Sequence, residues 1–352
     1  MSTKLSENEI TSAPQSLETP PPQIVVLQMA TAYWVSQSIY AAARLGIADW
    51  LKDGAKSCGE LAAITGTNEQ ALYRLLRALA SVGIFAETES QQFVLTPLAN
   101  CLRSDVPDSV RDASIMMGDR EHYNSWGNIL HSIKTGESAF ENLVGMNVFD
   151  YFSRNPEPAA VFDRAMTSFS SSEIPAIIAS YDFSSIRQLV DVAGGHGSLL
   201  TAVLRSNPQM EGILFDLPEV IERAKSAIAQ DVANRIQLAT GSFFESVPAG
   251  ADAYMLKHII HDWDDERSIT ILKNCHQAMA DNGRVLVMEQ VIPPGNAPFL
   301  GKLLDVNMLV MCPGGKERTE VEYRALFEAA GFRLTRIVPT QTFISVVEGV
   351  KI

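Results

Sequence analysis

The sequence predicts an α/β protein: a doubly wound, mostly parallel sheet in the second half, preceded by a mostly helical region that contains a winged helix. Three observations predict it. Up to about residue 182 the apolar residues recur at helical spacing. From residue 186 onward, short β-branched runs alternate with longer helical stretches. A glycine-rich turn, DVAGGHG (191–197), joins the first of those runs to a helix. The 352 residues, 46% of them hydrophobic, suffice for two cores.

Residues 1–22, with Pro20, Pro21 and Pro22 and few apolar side chains, are expected to form a mobile leader. Residues 23–183 form the helical part. Its first stretch, Ile24 to Leu51, is apolar and carries the small residues Ala41, Ala42 and Ala43, which suits an interface between two copies of the chain. A helix from about Gly59 should stop at Gly66. A second should begin at the capping pair Thr67 and Gln70 and end at Gly83. With the hairpin FAETESQQFVLT they make a helix-turn-helix with a wing. Arg74 and Arg77 on the second helix permit a DNA-binding reading, but the helix lacks a dense basic patch and the chain carries a net charge of −13. Nucleic acid and anionic membranes are therefore not expected partners.

Residues 184–352 read as strand 188–193, a helix to about Ser206, strand 212–216, helix 218–229, strand 236–240 and strand 252–257. A helix from about Asp264 to Ala280, strand 284–291, a helix near 300–311 and another at 319–330 follow. The closing RLTRIVPT and TFISVVEG predict an antiparallel hairpin on an otherwise Rossmann-like sheet, which places ligands at the carboxyl ends of the strands. Cys58, Cys101, Cys275 and Cys312 have no metal-like spacing and read as reduced thiols of a cytoplasmic protein. Nothing approaches the roughly 18 apolar residues of a membrane span.

The chemistry concentrates at strand ends. The glycine turn lets a backbone approach a ligand, and Asp216, about 25 residues on, can accept both hydroxyls of a ribose. Phe243 in GSFF could flank an adenine or simply fill the core. MLKHIIHDWDDE brings Lys257, His258 and His261 together at the end of the fourth strand, with Asp262 as the simplest cap of the next helix. Glu289 ends the adjacent strand and is expected to reach the His261 imidazole, making it a better base. Asp264 and Asp265 suit a helix N-terminus better than a metal, so no metal is expected. Glu317, in PGGKERT, reads equally as a third active carboxylate or as a loop residue.

LVDVAGGHG, FDLPEV, GSFFE, LKHIIHDW, the Glu of VMEQ, DVNMLV and GGKERT occur in order from Leu189 onward, within a match that runs from about Ile24 to the C-terminus. In this the chain resembles the plant caffeate and flavonoid O-methyltransferases, together with acetylserotonin and bacterial polyketide or phenazine O-methyltransferases. The resemblance implies an S-adenosylmethionine (SAM) methyltransferase domain preceded by a winged-helix dimerisation domain, a homodimer, a small-molecule hydroxyl acceptor, and S-adenosylhomocysteine as product. It implies that Asp191, Gly194, Gly195, Asp216, Leu217, Ser242, Phe243 and Lys257 hold the cofactor, and that His261 is the general base bracketed by Glu289 and Glu317. It further nominates Trp126, Phe162, Met166, Phe169, Asp262, Asn307, Met308, Met311 and Cys312 around the acceptor. Three departures stand out. Ala193 replaces the turn's usual first glycine, a change that a slightly wider turn would absorb. Ser242 replaces an aspartate, and Cys312 an asparagine. Methyl transfer to nitrogen, carbon or sulfur, a non-methylating relative, and a winged-helix regulator that senses the cofactor are the rival readings.

Overall fold

A computed structural model describes residues 20–352. The leader's residues 1–19 lie outside the described residues. Pro22 already opens a helix, Pro22–Ala30, where proline's missing N–H costs nothing.

The central sheet has seven strands, numbered here in chain order: β1 Gln188–Val192, β2 Glu211–Asp216, β3 Ile236–Thr240, β4 Ala253–Lys257, β5 Arg284–Glu289, β6 Phe332–Pro339 and β7 Ser345–Lys351. Their spatial order is β6-β7-β5-β4-β1-β2-β3. All neighbours run parallel except β7, which pairs antiparallel with both β5 and β6. The hairpin expected from the closing residues is this β6–β7 pair. Side chains alternate across the strands. Val190, Val192, Tyr254, Leu256, Val285 and Val287 pack on one face against Ile271 and Leu272 of helix Asp265–Ala278 and Phe327 of helix Glu320–Ala329. Leu189, Leu214, Met255 and Leu286 pack on the other against Leu199, Leu200 and Val203 of helix Ser198–Ser206. Both faces are covered, which explains the near-continuous apolar runs.

In the first part of the chain, helix Cys58–Thr65 is opened by a reciprocal cap between Ser57 and Glu60 and closed by Gly66 at φ +67°. The next helix, Glu69–Ser81, is capped by Asn68, whose Oδ1 accepts the Ala71 N–H at 3.0 Å. Thr67 and Gln70 do not form the expected pair. The Thr67 hydroxyl instead meets that of Thr65, and Asn68 lies one residue nearer the first turn. Leu72, Leu76 and Leu79 turn inward at helical spacing onto Phe85 and Phe93 of the wing. Helix Tyr33–Arg44 lies so close to helix Arg111–Gly118 that a Cβ on Gly118 would come within 2.3 Å of Tyr40 Cβ.

The two parts meet through one long helix, Pro156–Ser180. Its last turns carry Ile174, Ile177 and Ile178 into the sheet's own core. The helix is thus both the end of the helical region and the cover over the strands' carboxyl ends. Two boundaries differ from the sequence reading: the helix after β2 spans only Pro218–Ala224, and β5 ends at Glu289. Val291–Ile292 then leaves the sheet to pair with Arg318–Thr319, which fixes the PGGKERT loop beside β5. Among the described residues no helix is long and apolar enough to cross a membrane.

Candidate active site

At the carboxyl end of β1 the chain turns through Ala193 at φ +56°, Gly195 at +57° and Gly197 at +74°. Ala193 adopts the left-handed conformation itself, at a cost of roughly 1–2 kcal/mol, and donates its N–H to Phe215 O at 2.7 Å. Gly194 has no room for a side chain, since a Cβ there would sit 2.5 Å from the Asp191 carboxyl carbon. A Cβ on Gly195 would meet no protein atom within 4 Å, because that residue faces a cavity of about 700 Å³.

Asp216 closes β2 and accepts the Gly195 N–H at 2.9 Å and the Leu217 N–H at 2.7 Å. Burial pushes its carboxyl up to about 6, against the pull of those two N–H groups. Asp191 is more enclosed. Burial pushes it up to about 7 despite the opposing charge of Lys257, and its Oδ2 has no hydrogen-bond partner. A buried, unpartnered carboxylate oxygen is a place for a ligand cation. Asp191, Gly194, Gly195, Asp216, Leu217, Ser242, Phe243 and Lys257 all line this one cavity, as do Phe162, Met166 and Asp262.

His261 lies just behind that wall, in the 3₁₀ turn Ile260–Asp262. It is 6% exposed. Its Nδ1 is 2.6 Å from Glu317 Oε1, and its Nε2 faces Asp262 Oδ1 at 3.7 Å. Burial disfavours the imidazolium, but the charges of Glu317 and Asp262 outweigh it and raise the pKa. Burial in turn pushes Asp262 up to about 6, against the charge of His261.

Glu289 does not reach the imidazole. Its Oε1 accepts the backbone N–H groups of Ile259, Ile260 and His261 at 3.1, 2.7 and 3.1 Å, and its Oε2 accepts the Tyr323 hydroxyl at 2.5 Å. With both oxygens so engaged, Glu289 holds the turn, and the partner of the ring is Glu317. Glu317 is not a solvated loop residue. It is 4% exposed, with its N–H bonded to Asp305 at 2.9 Å.

Other expectations also shift. Asp264, not Asp262, caps helix Asp265–Ala278, which frees Asp262 to face the cavity. Asp265 is paired with Arg318 at 2.8 Å, so both of those carboxylates have partners within the protein. Phe169 turns away from the cavity and packs near Ala113, Met116 and Ala165. Trp126 lies at the surface, and its indole N–H occupies Asn307 Oδ1 at 2.9 Å. Met308, Met311 and Cys312 are buried in a cluster with Phe140 and Val148. Phe149 and Phe152 pack on that cluster and line the cavity, so they stand between the two.

Several residues escaped the sequence reading, among them Phe149, Phe152, Glu173, Trp263 and Arg318. Trp263 lines the cavity, stacked on Phe149 at 5.1 Å. Arg318 is fully buried and donates to Ile260 O at 3.0 Å, Trp263 O at 2.9 Å and Asp265 Oδ1 at 2.8 Å. Its position next to Glu317 in PGGKERT was the available signal.

Comparison with known proteins fits this geometry. Residues 126–333 match the O-methyltransferase domain, and residues 27–105 match the O-methyltransferase dimerisation domain. The chain is 46% identical to a phenazine O-methyltransferase of Lysobacter antibioticus over 325 residues, 92% of this chain and 95% of that one. The crystal structure of LaPhzM superposes with a TM-score of 0.92 at 46% identity, covering 95% of this chain and all of the other. The S-adenosylhomocysteine-bound structure of CalO1, a methyltransferase in calicheamicin biosynthesis, superposes with a TM-score of 0.81 at 36% identity, covering 94% and 98%.

Arg318→Met would keep the volume of the side chain but remove the shortest donor to the Ile260 and Trp263 carbonyls, leaving them the longer Trp263 N–H and Ser268 hydroxyl contacts at 3.3–3.4 Å, and would take the cation from Asp265. Losing hydrogen bonds from a charged donor costs roughly 1–3 kcal/mol, so denaturant unfolding should show a loss of at least about 1 kcal/mol. A loss below about 0.5 kcal/mol would mean that the guanidinium does not hold the turn.

Proposed function

The chain belongs to the O-methyltransferase family, and on that premise we propose that His261 is the general base for methylation of a phenolic or enolic hydroxyl on a small aromatic or polyketide-like molecule. The observation that carries this reading is the buried His261–Glu317 pair, 2.6 Å apart, beside a cavity whose floor bears the unpartnered Asp191.

The cofactor is SAM, and the residues fit it. Asp191 Oδ2 suits its α-ammonium, the open backbone at Gly195 its methionine part, Asp216 its ribose, and Leu217, Ser242 and Phe243 its adenine. Bound SAM supplies a methyl group activated on a sulfonium, which the acceptor oxygen takes by in-line displacement. His261 Nε2 removes the acceptor's proton while Glu317 fixes Nδ1–H and stabilises the imidazolium. An acceptor that enters already ionised meets the protonated ring instead. Either way the reacting state is an oxyanion beside an imidazolium. That favours acidic hydroxyls over neutral amines. The apolar walls from Phe149, Phe152, Phe162 and Met166 exclude water while charge is neutralised, and alignment supplies much of the remaining rate. Met308, Met311 and Cys312 back Phe149 and Phe152 and shape that wall of the acceptor pocket, with Trp126 and Asn307 linked beside them. No step requires a metal.

The working unit in this reading is a homodimer formed by the first part of the chain. Helix Pro22–Ala30 buries none of its residues, and Leu27, Met29 and Trp34 are each more than half exposed. Such a helix needs an apolar partner, and a dimerisation domain matches there. The four free cysteines accord with a cytoplasmic location.

His261→Ala should lower kcat by about 10²–10⁴ while leaving SAM affinity nearly unchanged, since the ring is not among the cofactor contacts. Steady-state kinetics with calorimetry measures both. Wild-type turnover in the folded variant would remove His261 from the mechanism.

Cofactor affinity should depend on pH through Asp191. Its folded pKa, about 7, lies above the roughly 3.9 of an unfolded aspartate, so its contribution to stability is present below about pH 4 and is lost as pH rises through 7. An ammonium ligand binds the ionised form. SAM affinity in the wild type should therefore rise with pH up to about 7, and calorimetry of Asp191→Asn should show weaker binding with that rise flattened. An unchanged profile would place the ammonium elsewhere.

A further inference from the structure

Helix Pro156–Ser180 reaches the strand ends at three points along its length. Asp163 pairs with Arg223 at 2.7 Å, Thr167 meets His196 Nδ1 at 3.2 Å, and Glu173 meets Lys257 and His258. The third contact is the densest. The two Glu173 oxygens lie 2.9 and 3.0 Å from His258 Nε2, and Oε2 also takes the Lys257 ammonium at 3.3 Å. Burial opposes ionisation of Glu173, but its contacts with His258 and Lys257 outweigh that and hold it down at about 2. It is a carboxylate throughout the neutral range.

The place matters. Lys257 and His258 both line the cavity, and the His258 ring stacks on that of His261 at 5.1 Å and 28°. His258 adopts φ +56°, a conformation that a bulky residue keeps only where its surroundings enforce it. His258 therefore sits beside the proposed base, where in this reading the transferable methyl meets the acceptor, and Lys257 shares its carboxylate partner. SAM carries a positive sulfonium there, whereas S-adenosylhomocysteine is neutral at that atom. An unopposed cation would repel the donor and spare the product. A buried carboxylate on the same two side chains removes that bias.

We propose that Glu173 is a positioning residue that fixes Lys257 and His258 and offsets the Lys257 charge, so that the cavity favours the cationic methyl donor over the neutral product. The proposal rests on the reading that this cavity binds SAM, and it assigns a residue of the helical region to discrimination within the cofactor site.

The ratio of the two affinities isolates this effect, because every contact common to both compounds cancels. Calorimetric titration of the full chain with each compound gives the ratio. Glu173→Gln should weaken SAM on the order of tenfold more than S-adenosylhomocysteine, the size expected for losing one buried charge within roughly 10 Å. Glu173→Asp should restore most of the ratio. Lys257→Met, which removes a cation from the same cluster, should move the ratio the opposite way, and it serves if Glu173→Gln does not fold. Equal loss of both affinities in Glu173→Gln, or an unchanged ratio in Lys257→Met, overturns the proposal and leaves Glu173 a purely structural link. A wild-type chain that binds neither compound would overturn the cofactor reading, and the proposal with it.

Discussion

A carboxylate sealed inside the protein organises this site. Glu289, fully buried at the end of β5, gathers three successive backbone N–H groups and the Tyr323 hydroxyl. Taking an isolated carboxylate out of water costs several kcal/mol, and four donors aimed at it supply the compensation. The geometry follows from the sheet. β4 and β5 are parallel neighbours, with Lys257 level with Met288, so the residue that ends β5 sits under the chain leaving β4. Residues 259–261 coil around it. That coil sets where His261, Asp262 and His258 point.

Around this anchor the other charged groups divide the work. Glu317 binds the imidazole, and Arg318, its neighbour in the chain, ties down the carbonyls of the same turn. The short Val291–Ile292 ribbon fixes the loop that carries both. Close packing completes the joint: a Cβ on Gly315 would fall 2.7 Å from His261 O. The cofactor side is built differently, from a strained turn and two carboxylates whose pKa values are raised by burial. There the protein leaves groups incompletely satisfied for a ligand to complete.

Much of this was legible in the sequence, and the division is physical. Short, near-continuous apolar and β-branched runs between helical stretches give the sheet, and the glycine turn followed by Asp216 gives the cofactor end, because both signals are local. Which carboxylate meets His261 was not legible. Glu289 and Glu317 both lie near it in space, and the choice depends on three backbone N–H groups whose direction no side-chain pattern records. Caps slipped by a residue or two, Asn68 for Thr67 and Asp264 for Asp262, since several capping residues stand side by side. Glu173 and Arg318 went unread for a different reason. Their partners are 84 and 58 residues away in the chain, and only Arg318, beside Glu317, carried any local signal.

The central claim is that two buried carboxylates act on different atoms of one turn, Glu289 on its backbone and Glu317 on its ring. NMR of the chain labelled with ¹⁵N at histidine tests this most directly, by comparing Glu289→Gln and Glu317→Gln with the wild type. The account predicts that the hydrogen-bonded His261 Nδ1–H signal persists in the wild type and in Glu289→Gln but is lost in Glu317→Gln, where the ring's pKa also falls. Loss of that signal in Glu289→Gln with retention in Glu317→Gln would contradict it.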